Sequence, residues 1–360
     1  MRRGGGSCQD NADVARPYLT VLTLPILSTP RRAYQRIRGV ARAVVKPGVP
    51  VPGPSPYPGH FALVRSVVEG LRSIHADFNF NPWRFGDLAH VVYAPGNEAL
   101  RQALELKRRR VVDYVVAGPV NALFADESGG ILLSPEIDLV IVPSEWTVDF
   151  YEGFPELVAK SRVCPCGVDA EAWKPAGRTK ERSAVVYWKS GDERFCEAVE
   201  AIVRQCGLEP LRIRSRHGEH GIFKPSDYRE ALDRSMAGVF LSTFETQGIA
   251  LAEAWSMDVP AVVWDPQGDA EWRGRTFKAR SSAPFLTPAT GAAFRAIDDL
   301  ANVLRATLGR LTEFQPRQWV LQHMTDAVCA KTLYELIRRE AGAAGNTAKR
   351  KNPGGGPSGR

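Results

Sequence analysis

Residues 242–264 read "STFETQGIALAEAWSMDVPAVVW". The residues just before and within its start, "AGVFLST" (237–243), are β-branched and aromatic, the pattern of a buried strand. "VPAVVW" (259–264) is a second such run, opened by a proline that suits a strand's first position. The intervening "GIALAEAWSM" is rich in strong helix formers, so the stretch reads as a βαβ unit. Open parallel sheets bind ligands outside the carboxyl ends of their strands, and "FETQG" falls there. Gly248 allows close backbone approach, and the unpaired amides of a new helix attract an anion such as a phosphate. Two carboxylates flank this point. Glu245 precedes the helix, and Glu253 lies within it on an otherwise apolar run where an unpaired charge is costly to bury. Carboxylates are poor phosphate ligands but good acceptors for sugar hydroxyls. The stretch therefore suits a diphosphate with hydroxyls on both sides, as in a nucleotide sugar.

The rest of the chain repeats the alternation. Strands are expected at 18–28, 76–81, 89–94, 111–117, 138–142 and 160–165, with helices at 60–74, 97–109 and 144–152. A second run opens at "SAVVYWKSG" and continues with helix 192–206, strand 210–215 and helix 226–235. Two runs of βα units joined near residue 175 predict two Rossmann-like domains facing across a cleft. The expected division is a tail at 1–17, an acceptor domain at 18–175 with a basic insertion at about 29–58, and a nucleotide-sugar domain at 176–316. A helical segment at 317–340 is expected to cross back, before a basic disordered tail at 341–360. No GxGxxG or P-loop stands between strand and helix, which argues against a nicotinamide enzyme or an NTPase.

Composition narrows the class. The 360 residues are 44% hydrophobic and 24% charged, ordinary values for two globular domains. The net charge of +7 is concentrated: residues 29–46, "TPRRAYQRIRGVARAVVK", carry six basic and no acidic residues, and the last twenty carry four more. The remainder is slightly acidic, so no general nucleic-acid surface is expected. Six cysteines lack a metal-binding spacing and read as free buried thiols. No apolar run reaches membrane-span length and the start lacks a secretory core, giving an expected cytoplasmic location.

Three blocks together resemble the family-4 group of retaining glycosyltransferases with the GT-B architecture. The hallmark Glu, seven residues, Glu is met by Glu245, "TQGIALA", Glu253. "VPSEWTVDFYEGFP" (142–155) followed by "VCPCGVDAEAWKP" (163–175) resembles the end of that family's first domain. "GHFALVRSVVEGLRSIHADFNFNP" (59–82) looks like its first-domain glycine loop and helix. The resemblance covers about residues 18–340. It implies metal-independent transfer of a hexosyl group from a UDP- or GDP-sugar to a glycan or lipid-linked acceptor, with retention and without a cofactor.

The same resemblance assigns site residues. Glu245 binds donor-sugar hydroxyls and Glu253 the ribose diol, with Thr246, Gln247, Gly248 and Ile249 around the diphosphate. Lys189, Ser190, Gly191 and Arg194 form the cationic turn that neutralises the leaving group. The family usually shows Arg before Lys, whereas here Lys189 comes first, so the two roles are left undivided. Ile222 and Phe223 lie in the loop that would read the nucleobase. Gly59 and His60 would line the cleft on the acceptor side, and Asn121 of "GPVN" (118–121) could hydrogen-bond the donor sugar, although the histidine that many relatives carry there is absent. His217 and His220, with Glu219 between them, offer no third ligand at helix or hairpin spacing, so no metal site is expected there. Residues 29–46 admit two readings: a solvated insertion beside the cleft, or a basic segment with a rough Ile37, Val40, Val44 and Val45 stripe contacting an anionic membrane surface. A nucleotide-sugar epimerase or a phosphorylase of similar architecture, and a non-catalytic nucleotide-sugar-binding module, are the competing functions.

Overall fold

The computed structural model describes residues 16–26, 61–119, 121–215 and 224–351. The basic insertion at 29–46, Gly59, His60, His217, Glu219, His220, Ile222 and Phe223 lie outside the described residues.

The first domain is a six-stranded parallel sheet of β1 (Leu19–Val21), β2 (Phe78–Phe80), β3 (Val91–Ala94), β4 (Tyr114–Ala117), β5 (Leu139–Val142) and β6 (Ser161–Val163). Its order is β2-β1-β3-β4-β5-β6. The central strands VVYA, YVVA and LVIV are buried at every position, because a parallel sheet is covered on both faces. On one face Val92, Val115 and Val140 pack against Leu100 and Leu104 of α2 (Asn97–Arg108). On the other, Val21, Tyr93 and Ile141 share a core with Leu63, Val67 and Leu71 of α1 (Phe61–Ser73).

The second domain is a five-stranded parallel sheet in the order β13-β10-β9-β7-β8. These strands are β7 (Ser183–Trp188), β8 (Glu209–Arg214), β9 (Ala237–Leu241), β10 (Ala261–Trp264) and β13 (Gly291–Phe294). An antiparallel hairpin, β11 (Asp269–Trp272) and β12 (Arg275–Lys278), stands apart. The helices here are α4 (Glu193–Gln205), α5 (Pro225–Arg234), α6 (Ile249–Ser256), α7 (Ile297–Gly309) and α8 (Pro316–His323); α3 (Pro155–Ala159) closes the first domain. The five described cysteines are free thiols, and all but Cys206 are buried.

Several expectations are corrected. The first strand ends at Val21, not 28: beyond it the Thr23 and Leu24 amides bond the Asn81 side chain instead of a neighbouring strand, and Pro25 has no N–H. Residues 145–151 form a 3-10 helix. The domains exchange at Gly167–Val168, not near 175, since Val168 and Trp173 already pack in the second domain's core. The chain returns at Thr325, where Val168 N–H donates to Met324 O (2.9 Å) and Asp326 N–H to Val168 O (3.1 Å). The two crossings thus lie side by side. The segment 317–323 stays with the second domain, where the Arg317 guanidinium donates to the carbonyls of Ala170, Trp173 and Ser256. After the return, α9 (Asp326–Lys351) lies on α1, and helix therefore extends well into the segment expected to be a tail. Gly70 makes the contact possible: a Cβ there would stand 2.3 Å from Asp326 O.

Candidate functional site

In the second sheet the chain runs from β7 outward to β8, then crosses back to β9 on the other side of β7. This is the topological switch point, where the loops after β7 and β9 part and leave a crevice. Lys189–Gly191 follow β7, and Phe244–Gly248 follow β9. The two loops are tied at their base, because Lys189 and Ser190 N–H both donate to Leu241 O (3.0 and 2.9 Å). The Thr243 hydroxyl donates to Ser190 Oγ (3.4 Å). Gly191 (φ +89°) and Gly248 (φ +82°) both take the left-handed conformation that favours glycine.

Gly248 is the N-cap of α6 and has no capping side chain. Among the described residues, no acceptor takes the six successive N–H groups from Thr246 to Leu251; the first one used is Ala252, which donates to Gly248 O (3.1 Å). Helix starts normally satisfy such groups with caps, water or ligands. Here they form a concentrated donor surface for an anion.

The carboxylates differ in state. Glu245 Oε1 accepts from Lys189 Nζ at 2.6 Å, in a pair that is 17% and 26% exposed. Glu253 is half-buried, and its carboxylate accepts no hydrogen bond among the described residues. Burial pushes its pKa from 4.5 to about 8, and Arg65 offsets this only in part. Tyr187 and Tyr228, close enough to feel its charge, are themselves pushed up chiefly by burial. The Tyr228 hydroxyl donates to Ala250 O (2.7 Å) and holds the first turn of α6 in place. Arg65 arrives from α1 of the first domain and is held by a bidentate pair with Asp326 (2.6 and 3.1 Å).

The other expected residues divide. Arg194 is exposed on the first turn of α4 and has no partner among the described residues. Gln247 turns away from the expected donor space: its side chain accepts from Cys166 N–H (3.0 Å) and donates to Cys166 O (2.7 Å). Asn121 is also corrected as a cleft residue, being only 3% exposed. Its carbonyl oxygen accepts from Gly118 N–H (2.5 Å), and its amide donates to Asn97 Oδ1 (3.1 Å). Among the described residues no group of three or more His, Cys, Asp or Glu is placed to hold a metal ion.

Sequence reasoning missed the groups that reach this loop from the first domain. Ser144 Oγ donates to Thr246 O (2.6 Å) and Trp146 Nε1 to Glu245 O (3.0 Å). Both belong to the Ser-Glu-Trp block, where Ser144 reads as a helix cap but spends its hydroxyl across the cleft. The β11–β12 hairpin also crosses. Phe277 packs edge-on against Phe124 and Phe150, Trp272 Nε1 donates to Glu127 Oε1 (3.0 Å), and Arg275 pairs with Asp126 (2.8 Å).

No protein-family model matches the sequence, and no curated protein matches it significantly. Solved structures do. Sucrose-phosphate synthase from Thermosynechococcus elongatus superposes with a TM-score of 0.55 at 14% identity, over 91% of this chain and 100% of that one. HepE from Anabaena in complex with UDP and glucose superposes with a TM-score of 0.53 at 12% identity, over 90% of this chain and 100% of that one. Its complex with UDP-glucose gives 0.53 at 13% identity, over 89% and 99%. The fold is GT-B. In that architecture the crevice above β7 and β9 faces the first domain, and the Glu245 loop, Glu253, Lys189 and Arg194 all belong to the second.

Proposed function

We propose that the chain is a retaining glycosyltransferase that moves a hexosyl group from a UDP- or GDP-sugar to a glycan or lipid-linked acceptor. One observation carries the reading: six backbone N–H groups untaken among the described residues at a glycine-opened helix start, bracketed by Glu245 and Glu253. The amides suit a diphosphate, and the half-buried Glu253 carboxylate, without a partner among the described residues, suits a vicinal diol such as ribose, whose two hydroxyls would donate to it. The structural likeness to HepE, crystallised with UDP-glucose, supports a nucleotide-sugar donor.

The chemistry follows from the charges. Glu245 would hold donor-sugar hydroxyls, while Lys189, Arg194 and the helix amides stabilise the negative charge that grows on the departing nucleoside diphosphate. In the free protein Lys189 is committed to Glu245. Donor phosphate entering beside it would share the ammonium and leave the Glu245 carboxylate available to the sugar. The acceptor hydroxyl would attack on the face the diphosphate leaves, and a phosphate oxygen would take its proton. The protein supplies orientation and a preorganised positive field, so no metal is required by this scheme.

A thermal-shift screen of UDP, GDP and their sugars, followed by nucleotide release in the presence of a crude glycan acceptor, tests the reading. Stabilisation by one nucleotide family, and release abolished by Glu245→Ala, are the expected results. No stabilisation by any nucleotide sugar would overturn it.

A further inference from the structure

The loop that carries Glu245 is held from both domains, with four of its hydrogen bonds coming from the opposite one. Trp146 donates to the Glu245 carbonyl, Ser144 to the Thr246 carbonyl, and the Gln247 side chain pairs with both backbone groups of Cys166. All three anchors lie before the Gly167–Val168 crossing. From the loop's own domain, the Glu245 N–H donates to Ser281 O (3.1 Å), Lys189 Nζ to Glu245 Oε1 (2.6 Å) and Ser242 Oγ to Phe244 O (2.7 Å). Across a trans peptide the N–H points opposite to its carbonyl. Fixing the carbonyls of Glu245 and Thr246 on the first domain therefore fixes the N–H directions of Thr246 and Gln247, two of the six untaken donors. Trp146 is only 8% exposed and packs against Phe150 and Phe244, so the indole cannot swing to follow a loop that moves.

We infer that Trp146 and Ser144 are positioning residues: from the acceptor domain, their hydrogen bonds hold the donor loop in its transfer-competent shape. This inference rests on the proposed glycosyltransferase function. Loss of these bonds would release the Glu245 backbone and reorient the adjacent amides. Glu253 and the amides from Gly248 to Leu251, bonded to neither side chain, would remain available to nucleotide.

The test uses the full chain with Trp146→Phe, which keeps a smaller aromatic ring and removes the N–H, and Ser144→Ala, with Ser144→Thr as the conservative variant. Amide hydrogen exchange at Glu245 and Ala252, the amides of 243–252 that donate to Ser281 O and Gly248 O, reads the clamp without any substrate; release of the loop should speed exchange there by about tenfold. For the nucleotide sugar that the wild-type chain turns over, kcat should fall about tenfold or more while KM and the Kd for the free nucleoside diphosphate stay within about threefold. Ser144→Thr should restore both exchange and kcat. Unchanged exchange in Trp146→Phe and Ser144→Ala overturns the inference, as does kcat loss accompanied by an equal loss of nucleotide affinity, or failure of Thr to rescue. If the wild-type chain binds no nucleotide sugar, the functional reading fails instead, and exchange alone still decides whether the clamp exists.

Discussion

Glu253 is the residue whose chemistry is most exposed to test. A carboxyl whose pKa is raised by folding from 4.5 to about 8 keeps its proton in the native state across a window where the unfolded chain has released it. Stability contributed through this group is therefore greatest below about 4.5, declines as pH rises toward 8, and is level above. Glu253→Gln removes that decline, so the variant should melt higher than wild type at pH 8.5 by several degrees, with the gap closing toward pH 5; equal melting at all pH values would show the carboxyl to be solvated. Nucleotide binding should move the other way. Ribose hydroxyls donate to the charged form, so wild-type affinity should tighten as pH rises through about 8 and binding should release a proton. Glu253→Gln should weaken nucleotide binding by about 1–3 kcal/mol and flatten that pH dependence, readable by calorimetry in buffers of different ionisation heat. Glu245→Gln should separate the two functions, retaining nucleotide affinity while transfer is lost. A loss of nucleotide affinity as large as that of Glu253→Gln would show the two roles to be wrongly divided.

At the scale of elements, the helix pair α1 and α9 decides how the C-terminal chain is used. Gly70 lets α9 approach so closely that a Cβ would meet Asp326 O at 2.3 Å and Ala330 Cβ at 2.6 Å. Both partners are helix atoms packed into the first domain's core, beside Leu333 and Ile337, and neither can yield without moving α9. Gly70→Ala should therefore destabilise by about 1–3 kcal/mol despite the better helix propensity of alanine. Denaturant titration checks it, and a neutral or stabilising outcome would mean that α9 does not seat as described. The same movement would displace Asp326 and with it Arg65, which carries the first domain's charge toward Glu253. The β11–β12 hairpin is the other bridging element. Its Phe277 joins Phe124, Phe150 and Phe244 in one aromatic group spanning the two domains, so it reinforces their docking independently of Trp146 and Ser144.

For the whole molecule, two predictions concern what the chain needs from outside. With Lys189, Arg194 and the α6 amides gathered about one crevice, transfer should persist after exhaustive EDTA treatment; complete loss restored by manganese or magnesium would overturn the proposed charge stabilisation. No described helix is long and apolar enough to cross a membrane. Whether the basic segment 29–46, which lies outside the described residues, is a solvated insertion or contacts an anionic membrane surface is a separate question with its own test. At about 1 kcal/mol per basic residue near an anionic surface, six suffice for peripheral binding at modest salt. Co-sedimentation with phosphatidylserine-containing vesicles should be salt-sensitive and vanish when Arg31, Arg32, Arg36, Arg38, Arg42 and Lys46 are neutralised. Wild-type protein remaining in the supernatant at low salt would refute the contact.

The sequence by itself determined the alternation of strands and helices, the two-domain α/β class and the loop-then-helix that carries Glu245, Gly248 and Glu253. These are local properties: apolar runs set by burial on both sheet faces, helix propensity between them, and a glycine where the backbone must turn left-handed. Only the tertiary structure decided which polar groups remain open to a ligand. Gln247 and Asn121 have side chains suited to sugar hydroxyls, yet Cys166 consumes the first and Gly118 and Asn97 the second. Lys189 meets Glu245, 56 positions away, and Ser144 meets Thr246, 102 positions away. It also placed the chain's crossings at Gly167 and Thr325 and sent α9 back to the first domain. Such pairings depend on how two completed sheets dock, and no local period in the chain encodes that docking.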